Sequence, residues 1–188
     1  MRAFGDESLV LEVRPRGTAY ILGAVVLSEQ AVVQAREAVE DLKLPGQRRI
    51  HWHEEGHSRR EVLASGLGSI DAIHVVSLCR GPEGIRQERL RRLALVRLLT
   101  ELGLMGVESL TLESRGARAD ARDRALGRVL RDGWSGSREA WLTHENWRSE
   151  PLLWAPDVLC GSFAASLRGS QDHLAHIQRT LTVIEAAM

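Results

Sequence analysis

The chain has 188 residues, a formal net charge of zero at pH 7 and a hydrophobic fraction of 44%. These values fit one globular domain with a substantial core, and the balanced charge argues against indiscriminate attraction to polyanions. The longest apolar runs, such as residues 21–27, are too short to cross a bilayer. Acidic residues stand near the N-terminus where a secretory signal needs apolar ones, so we expect no membrane partner and a cytoplasmic location.

The predicted elements alternate between strands and helices along the chain. Residues 2–8 and 19–27 predict the two strands of a hairpin, joined by a polar turn at 14–17. Beyond the hairpin, the spacing of apolar residues predicts helices at 28–42, 58–67, 84–102, 119–130, 156–167 and 171–187, and strands at 73–79, 107–113 and 140–144. This order predicts a single α/β domain over 1–188, a mixed sheet of about five strands with helices on both faces, and 171–187 as an appended helix.

The cysteine and lysine content is low. Cys79 and Cys160 are isolated in apolar runs, which predicts two buried free thiols, and no CxxC pair supports a thiolate zinc site. Lys43 is the only lysine among the 25 basic residues. Codon bias in a GC-rich genome explains this arginine excess without any functional role, and it is the favoured explanation. Nucleic-acid binding would therefore require a local arginine surface.

Three acids stand where chemistry is expected, although each also has a structural explanation. Asp6 shares a face of the first strand with Phe4, or it begins the following turn. Glu113 ends an apolar strand, and ligands gather beyond the carboxyl ends of strands in open α/β sheets. Asp157 follows Pro156 in the first turn of a helix, where a carboxylate also favours the helix dipole.

Two short motifs carry a resemblance to a known family. The chain opens with Phe4-Gly5-Asp6-Glu7-Ser8 and closes its motif set with Ala155-Pro156-Asp157-Val158-Leu159-Cys160-Gly161. In these motifs it resembles a family of bacterial and phage domains of unknown function with a ribonuclease-H-like α/β fold. The sequence departs from that pattern at Leu9, which replaces a glycine, at Glu113, which replaces an aspartate, and at Pro156.

The resemblance implies a divalent-metal-dependent nuclease or a related phosphoryl-transfer enzyme. Mg²⁺ or Mn²⁺ would be held by Asp6, Glu113 and Asp157, with Glu7 and Glu54 as further candidate ligands. The substrate would be nucleic acid, with RNA and DNA both open, and a protein partner or a homodimer is also left open. The departures at Leu9 and Glu113 favour an alternative, a catalytically idle ribonuclease-H-like binding or assembly module.

A third hypothesis comes from His53, Glu54 and His57, which match the H-E-x-x-H pattern of zinc peptidases. That chemistry needs both histidines on one face of a buried helix. The flanking residues are charged, and Gly56 disfavours a helix by about 1 kcal/mol relative to alanine. Zn²⁺ is therefore the alternative metal, behind Mg²⁺ or Mn²⁺.

The residues expected at the substrate are basic. The family resemblance implies that His51 or His53 contacts a phosphate or the general-acid position near the carboxylates. Arg59 and Arg115 flank the acidic site and hold the phosphate backbone through their guanidinium groups.

Overall fold

The computed structural model describes residues 1–11, 17–132, 141–170 and 172–188. The strands are β1 (Arg2–Leu11), β2 (Thr18–Leu27), β3 (Ile73–Gly81), β4 (Ser109–Glu113), β5 (Leu142–Glu145) and β6 (Leu181–Ala186). The helices are α1 (Val32–Asp41), α2 (His57–Ser69), α3 (Gln87–Leu104), α4 (Ala117–Asp132), α5 (Trp154–Leu167) and the short α6 (Asp172–Ala175). Within these ranges, no helix is both long and apolar enough to cross a membrane. Most of the predicted turn at 14–17, and residues 140 and 171, lie outside the described residues.

The strands form one mixed sheet in the order β5-β4-β1-β2-β3-β6. β1 pairs antiparallel with β2, as the predicted hairpin requires, and β2 pairs antiparallel with β3. The remaining pairs, β1–β4, β4–β5 and β3–β6, are parallel. Every residue of β2 is buried, which explains why its sequence is a nearly continuous apolar run rather than an alternating one.

Helices cover both faces of this sheet because side chains alternate along each strand. On β1, Phe4 belongs to a core that includes residues of α1, α2 and α5. Its neighbour Ala3 belongs to the opposite core, which is built largely from α3. The prediction of a mixed sheet with helices on both faces is confirmed. The same alternation places Asp6 on the α5 side of the sheet and Glu7 on the α3 side.

The C-terminal segment differs from the prediction. A helix over 171–187 is wrong: a short helix, α6, is followed by β6, which pairs parallel with β3 and adds a sixth strand to the sheet. Thr182, Val183 and Ile184 are consecutive β-branched residues, and such side chains lose rotamer freedom in a helix but pack well on a pleated surface. The segment is therefore part of the sheet rather than an appended helix.

Candidate active site

A cavity of about 260 Å³ lies between β1, the end of β4 and the first turns of α5. Asp6, Glu113 and Asp157 all line it. The remaining lining residues used below are Glu7, Arg49, His51, His53, Arg91, Arg115 and Cys160. The structure thus brings the three acids from distant parts of the sequence to one place.

Strand pairing explains how two of the acids meet. β1 and β4 run parallel with Gly5 opposite Leu112, so that the next residues, Asp6 and Glu113, are neighbours on adjacent strands. Glu113 shares its face with Thr111, as the alternation along the strand predicts. Both carboxylates therefore project toward α5.

Helix α5 places the third acid, Asp157, at the cavity because this helix packs very closely on the sheet. The thiol of Cys160 donates a hydrogen bond to the carbonyl oxygen of Asp6 at 3.3 Å. A Cβ atom at Gly23 on β2 would lie only 2.6 Å from the Cys160 sulfur, so this approach requires glycine there. Both cysteines are free and buried, as predicted. Asp157, three residues before Cys160, is carried to the cavity by the same contact.

Burial raises the pKa of all three acids of the site. Burial raises the pKa of Asp6 well above its usual range, and the neighbouring charges of Asp157 and Glu113 raise it further. Burial also raises the pKa of Glu113, against an opposing effect of Arg49. The pKa of Asp157 is raised by burial as well, although the Trp52 backbone N–H favours its ionised form. These three carboxyl groups would be stabilised in their ionised state by a positive charge in the cavity.

The donor chemistry of the cavity fits a hard divalent cation. Carboxylate oxygens are the ligands that Mg²⁺ and Mn²⁺ prefer, and Mg²⁺ is usually bound by one or two carboxylates together with water and substrate phosphates. Among the described residues, no group of three or more His, Cys, Asp or Glu side chains already has the arrangement of a metal site. The protein therefore supplies oxygen donors and negative charge rather than a completed cage.

Trp52 links Asp157 to the segment that follows α1. Its backbone N–H donates a hydrogen bond to Asp157 Oδ2 at 2.6 Å. Its ring occupies the space beside Gly161, where a Cβ atom would collide with it. On the other side, Arg60 lies over the ring and donates from Nε to the Trp52 carbonyl oxygen at 3.0 Å. The sequence signal for this contact was Gly161, one helical turn beyond Asp157, but it did not identify the partner.

The residues flanking Trp52 reach the cavity. His51 and His53 both line it, with ring centroids 5.9 Å apart. Arg49 lines it too, whereas its sequence neighbour Arg48 is not among the lining residues. Glu54 does not line the cavity: it is exposed and lies 3.2 Å from Arg49 and 3.5 Å from His51. Its position does not match that of the further metal ligand considered from the sequence.

The two arginines expected at the substrate have different positions. Arg115, two residues after Glu113, lines the cavity. Arg59 does not, because its guanidinium donates to the carbonyl oxygen of Leu42 and lies near Glu55, where it joins α2 to the end of α1. The expectation for Arg59 is corrected: its role in this structure is to tie two helices together.

The H-E-x-x-H segment is not a zinc-binding helix. His53 lies in a single 3-10 turn, Gly56 has an extended backbone, and His57 begins α2. The two histidines therefore do not share a helical face, and His57 instead packs against His173 at 5.0 Å between ring centroids. The break at Gly56 contradicts the zinc-peptidase hypothesis and removes the reason to consider Zn²⁺ at these residues.

Comparisons with known proteins identify the fold. The chain is similar in structure to ribonuclease H2 from Pyrococcus horikoshii OT3, with a TM-score of 0.57 and 15% identity over 88% of this chain and 74% of that one. It is also similar to ribonuclease HII in the PCNA:RNase HII complex from Archaeoglobus fulgidus, with a TM-score of 0.51 and 15% identity over 95% of this chain and 74% of that one. No family model and no curated protein matches the sequence. The chain has a ribonuclease-H-like α/β fold.

Proposed function

We propose that this protein is a divalent-metal-dependent nuclease, or a related phosphoryl-transfer enzyme, that acts on nucleic-acid phosphodiesters. The observation that carries the proposal is the convergence of Asp6, Glu113 and Asp157 in one cavity on one face of the sheet. The similarity to two ribonucleases of the same fold supports it, although a shared fold alone does not determine activity.

Asp6, Glu113 and Asp157 are the residues that would hold Mg²⁺ or Mn²⁺. When bound, such ions activate water and stabilise the leaving oxygen in phosphodiester cleavage. Asp6 belongs to the opening motif, and the charges of both other acids raise its pKa, so it is the central acid of the three. His51, His53, Arg49 and Arg115 provide the cationic and hydrogen-bonding groups on the walls of the same cavity, where they would orient a phosphate.

The proposal includes membership of the bacterial and phage family that the sequence resembles, and a cytoplasmic location. Support for the family comes from geometry: the opening motif supplies Asp6, the closing motif supplies Asp157, and the two motifs touch through Cys160. A protein partner or a second copy of the chain remains part of the same proposal.

A second candidate is a catalytically idle module that binds nucleic acid or assembles with other proteins. One observation favours it: within the described ranges, no three acidic or histidine side chains are already arranged to hold a metal. Glu113, with a longer side chain than the aspartate of the resembling family, is consistent with a loss of catalytic geometry.

Cleavage assays distinguish the two candidates. The purified protein is incubated with Mg²⁺ or Mn²⁺ and labelled single-stranded RNA, single-stranded DNA, duplex DNA and RNA–DNA hybrid. We expect cleavage of at least one substrate, and Asp157→Asn should lower kcat about 10³-fold, because removal of a metal ligand costs several kcal/mol of transition-state stabilisation.

The matched control is Asp172→Asn, which changes an exposed aspartate in the first turn of α6 and should leave cleavage unchanged. Full activity of Asp157→Asn would contradict the assignment of the site. If the wild type cleaves none of the four substrates with either metal, the idle module is favoured over the nuclease.

A further inference from the structure

Asp6 and Glu7 are adjacent in the sequence but their carboxylates have different surroundings. Asp6 lies on the α5 side of the sheet, beside Asp157 and Glu113. Glu7 lies on the α3 side, where Oε2 accepts a hydrogen bond from Arg91 Nε at 2.6 Å and Oε1 lies 3.1 Å from Arg115 Nε. The Glu7 carboxylate therefore lies between two guanidinium groups. These surroundings suit a carboxylate that forms ion pairs with arginines rather than one that binds a metal ion.

Arg91 is held rigidly in this network. It is 2% exposed on α3, and its Nη1 and Nη2 donate to the two carboxylate oxygens of Asp123 on α4 at 2.6 and 2.8 Å. His144 on β5 also contacts Asp123, with Nε2 at 3.2 Å from Oδ2. Each of the three nitrogen atoms of the Arg91 guanidinium donates a hydrogen bond to a carboxylate. Arg91 therefore fixes the position of Glu7 and does not itself bind a ligand.

Arg115 is the exposed end of the network. Its backbone N–H donates to Asp120 Oδ1 at 3.0 Å, which fixes the main chain just after Glu113. Its side chain is one-third exposed, with Nε on Glu7 and Nη2 at 3.2 Å from Glu88 Oε2. The two carboxylates hold the guanidinium in place on the wall of the cavity that also contains Asp6. A fixed, partly exposed guanidinium is well suited to bind a phosphate group.

We propose that Glu7 and Arg91 are positioning residues that hold Arg115 in place to bind a backbone phosphate of the nucleic-acid substrate beside the three carboxylates. This inference rests on the proposed function and refines it. Glu7 acts through Arg115, Arg91 acts through Glu7, and neither supplies an oxygen to the metal. The two adjacent acids of the opening motif thus have different roles on opposite faces of the sheet. Asp6 binds the metal, and Glu7 positions the arginine that binds the substrate.

The test measures two kinds of binding separately. Affinity for short fluorescein-labelled RNA, DNA and hybrid oligonucleotides is measured by anisotropy in EDTA at several salt concentrations, and Mn²⁺ affinity is measured by calorimetry without nucleic acid. Arg115→Gln is expected to weaken oligonucleotide binding about tenfold and to reduce the salt dependence by about one phosphate contact. Glu7→Gln is expected to weaken it about three- to tenfold while Mn²⁺ affinity stays within about twofold of the wild type.

A double variant tests whether Glu7 acts through Arg115. Adding Glu7→Gln to Arg115→Gln should change the oligonucleotide Kd by less than about twofold, because the residue through which Glu7 acts is already absent. Glu101→Gln is the matched control: Glu101 also binds an arginine on α3, and its side chain has the same 23% exposure as that of Glu7. It should bind oligonucleotide like the wild type.

Several outcomes would overturn the inference. If Glu7→Gln removes Mn²⁺ binding, Glu7 is a metal ligand. If its effect on oligonucleotide binding is as large without Arg115 as with it, Glu7 does not act through Arg115. If the wild type binds no oligonucleotide, Arg115 has no phosphate to bind. Should Glu7→Gln fail to fold, Arg91→Lys, which keeps the charge but loses the paired hydrogen bonds, takes its place with the same expected pattern. Failure of Mn²⁺ binding in the wild type, by contrast, bears on the metal site alone.

Discussion

Replacing Asp123 with alanine is expected to lower the free energy of unfolding by about 3–5 kcal/mol, because it leaves the Arg91 guanidinium buried without its principal partner. Asp123 and Arg91 are 4% and 2% exposed and share two hydrogen bonds. The pKa of Asp123 reflects this environment: although burial acts to raise it, hydrogen bonds from His144 and Arg91 lower it to about 2. Urea denaturation at neutral pH measures the change.

Asp71→Ala serves as the control for this experiment, since Asp71 is exposed and a change there should alter stability by no more than about 0.5 kcal/mol. A paired replacement, Arg91→Met with Asp123→Leu, should recover most of the lost stability, because both charges are removed together. A loss of less than about 1 kcal/mol in Asp123→Ala would contradict the view that this ion pair fixes α3 against α4.

The second large effect concerns Asp6. Asp6→Asn is expected to reduce cleavage about 10³-fold, since the residue is proposed as the central metal ligand. In the absence of metal, however, the same variant should be more stable than the wild type by about 0.5–2 kcal/mol near pH 8. The reason is that the ionised Asp6 carboxylate is partly buried next to Asp157 and Glu113, and asparagine removes this repulsion.

The pH dependence of this difference follows from the direction of the pKa shift. The folded-state pKa of Asp6 is raised above its unfolded value, so the folded state binds the proton more tightly. Ionisation therefore destabilises the fold as pH rises above the unfolded value of about 4. The advantage of Asp6→Asn should be greatest at pH 8 in EDTA and should disappear near pH 4. Lower stability of the variant at pH 8 would contradict the crowding of negative charge at the site.

Much of the fold follows from local patterns in the sequence. The continuous apolar run of β2 and the alternation on β4 predicted both the central hairpin and the face on which Glu113 lies. The C-terminal segment shows where such patterns fail. Leu174, Ile177, Leu181 and Ile184 have helical spacing, yet the β-branched residues near the end of the chain form a strand against the free edge of β3. The edge of β3, with which the segment can pair, decides between a helix and a strand, and this edge cannot be identified from the local sequence.

The acids of the candidate site could be predicted from the sequence, but the contacts that position them could not. The three acids could be identified because each stands at a strand or helix position with a known geometric consequence, and the resembling motifs joined two of them. The contacts that hold these acids in place could not be identified from the sequence. Trp52 binds Asp157 across 105 residues, and Arg91 binds Glu7 across 84. Neither pairing leaves a periodic or local signal, since it depends on how α5 and α3 pack on opposite faces of the sheet.

Calorimetric titration of Mn²⁺ into the wild type and Asp6→Asn, with Zn²⁺ as the comparison metal, tests the central claim most directly. A site built from carboxylate oxygens should bind Mn²⁺ in the wild type and lose that binding in Asp6→Asn. The titration is performed with and without a non-cleavable oligonucleotide, because phosphate oxygens complete the coordination of such ions. Absence of Mn²⁺ binding under both conditions, or Mn²⁺ binding that is unchanged in Asp6→Asn, would contradict the assignment of Asp6, Glu113 and Asp157 as the metal site.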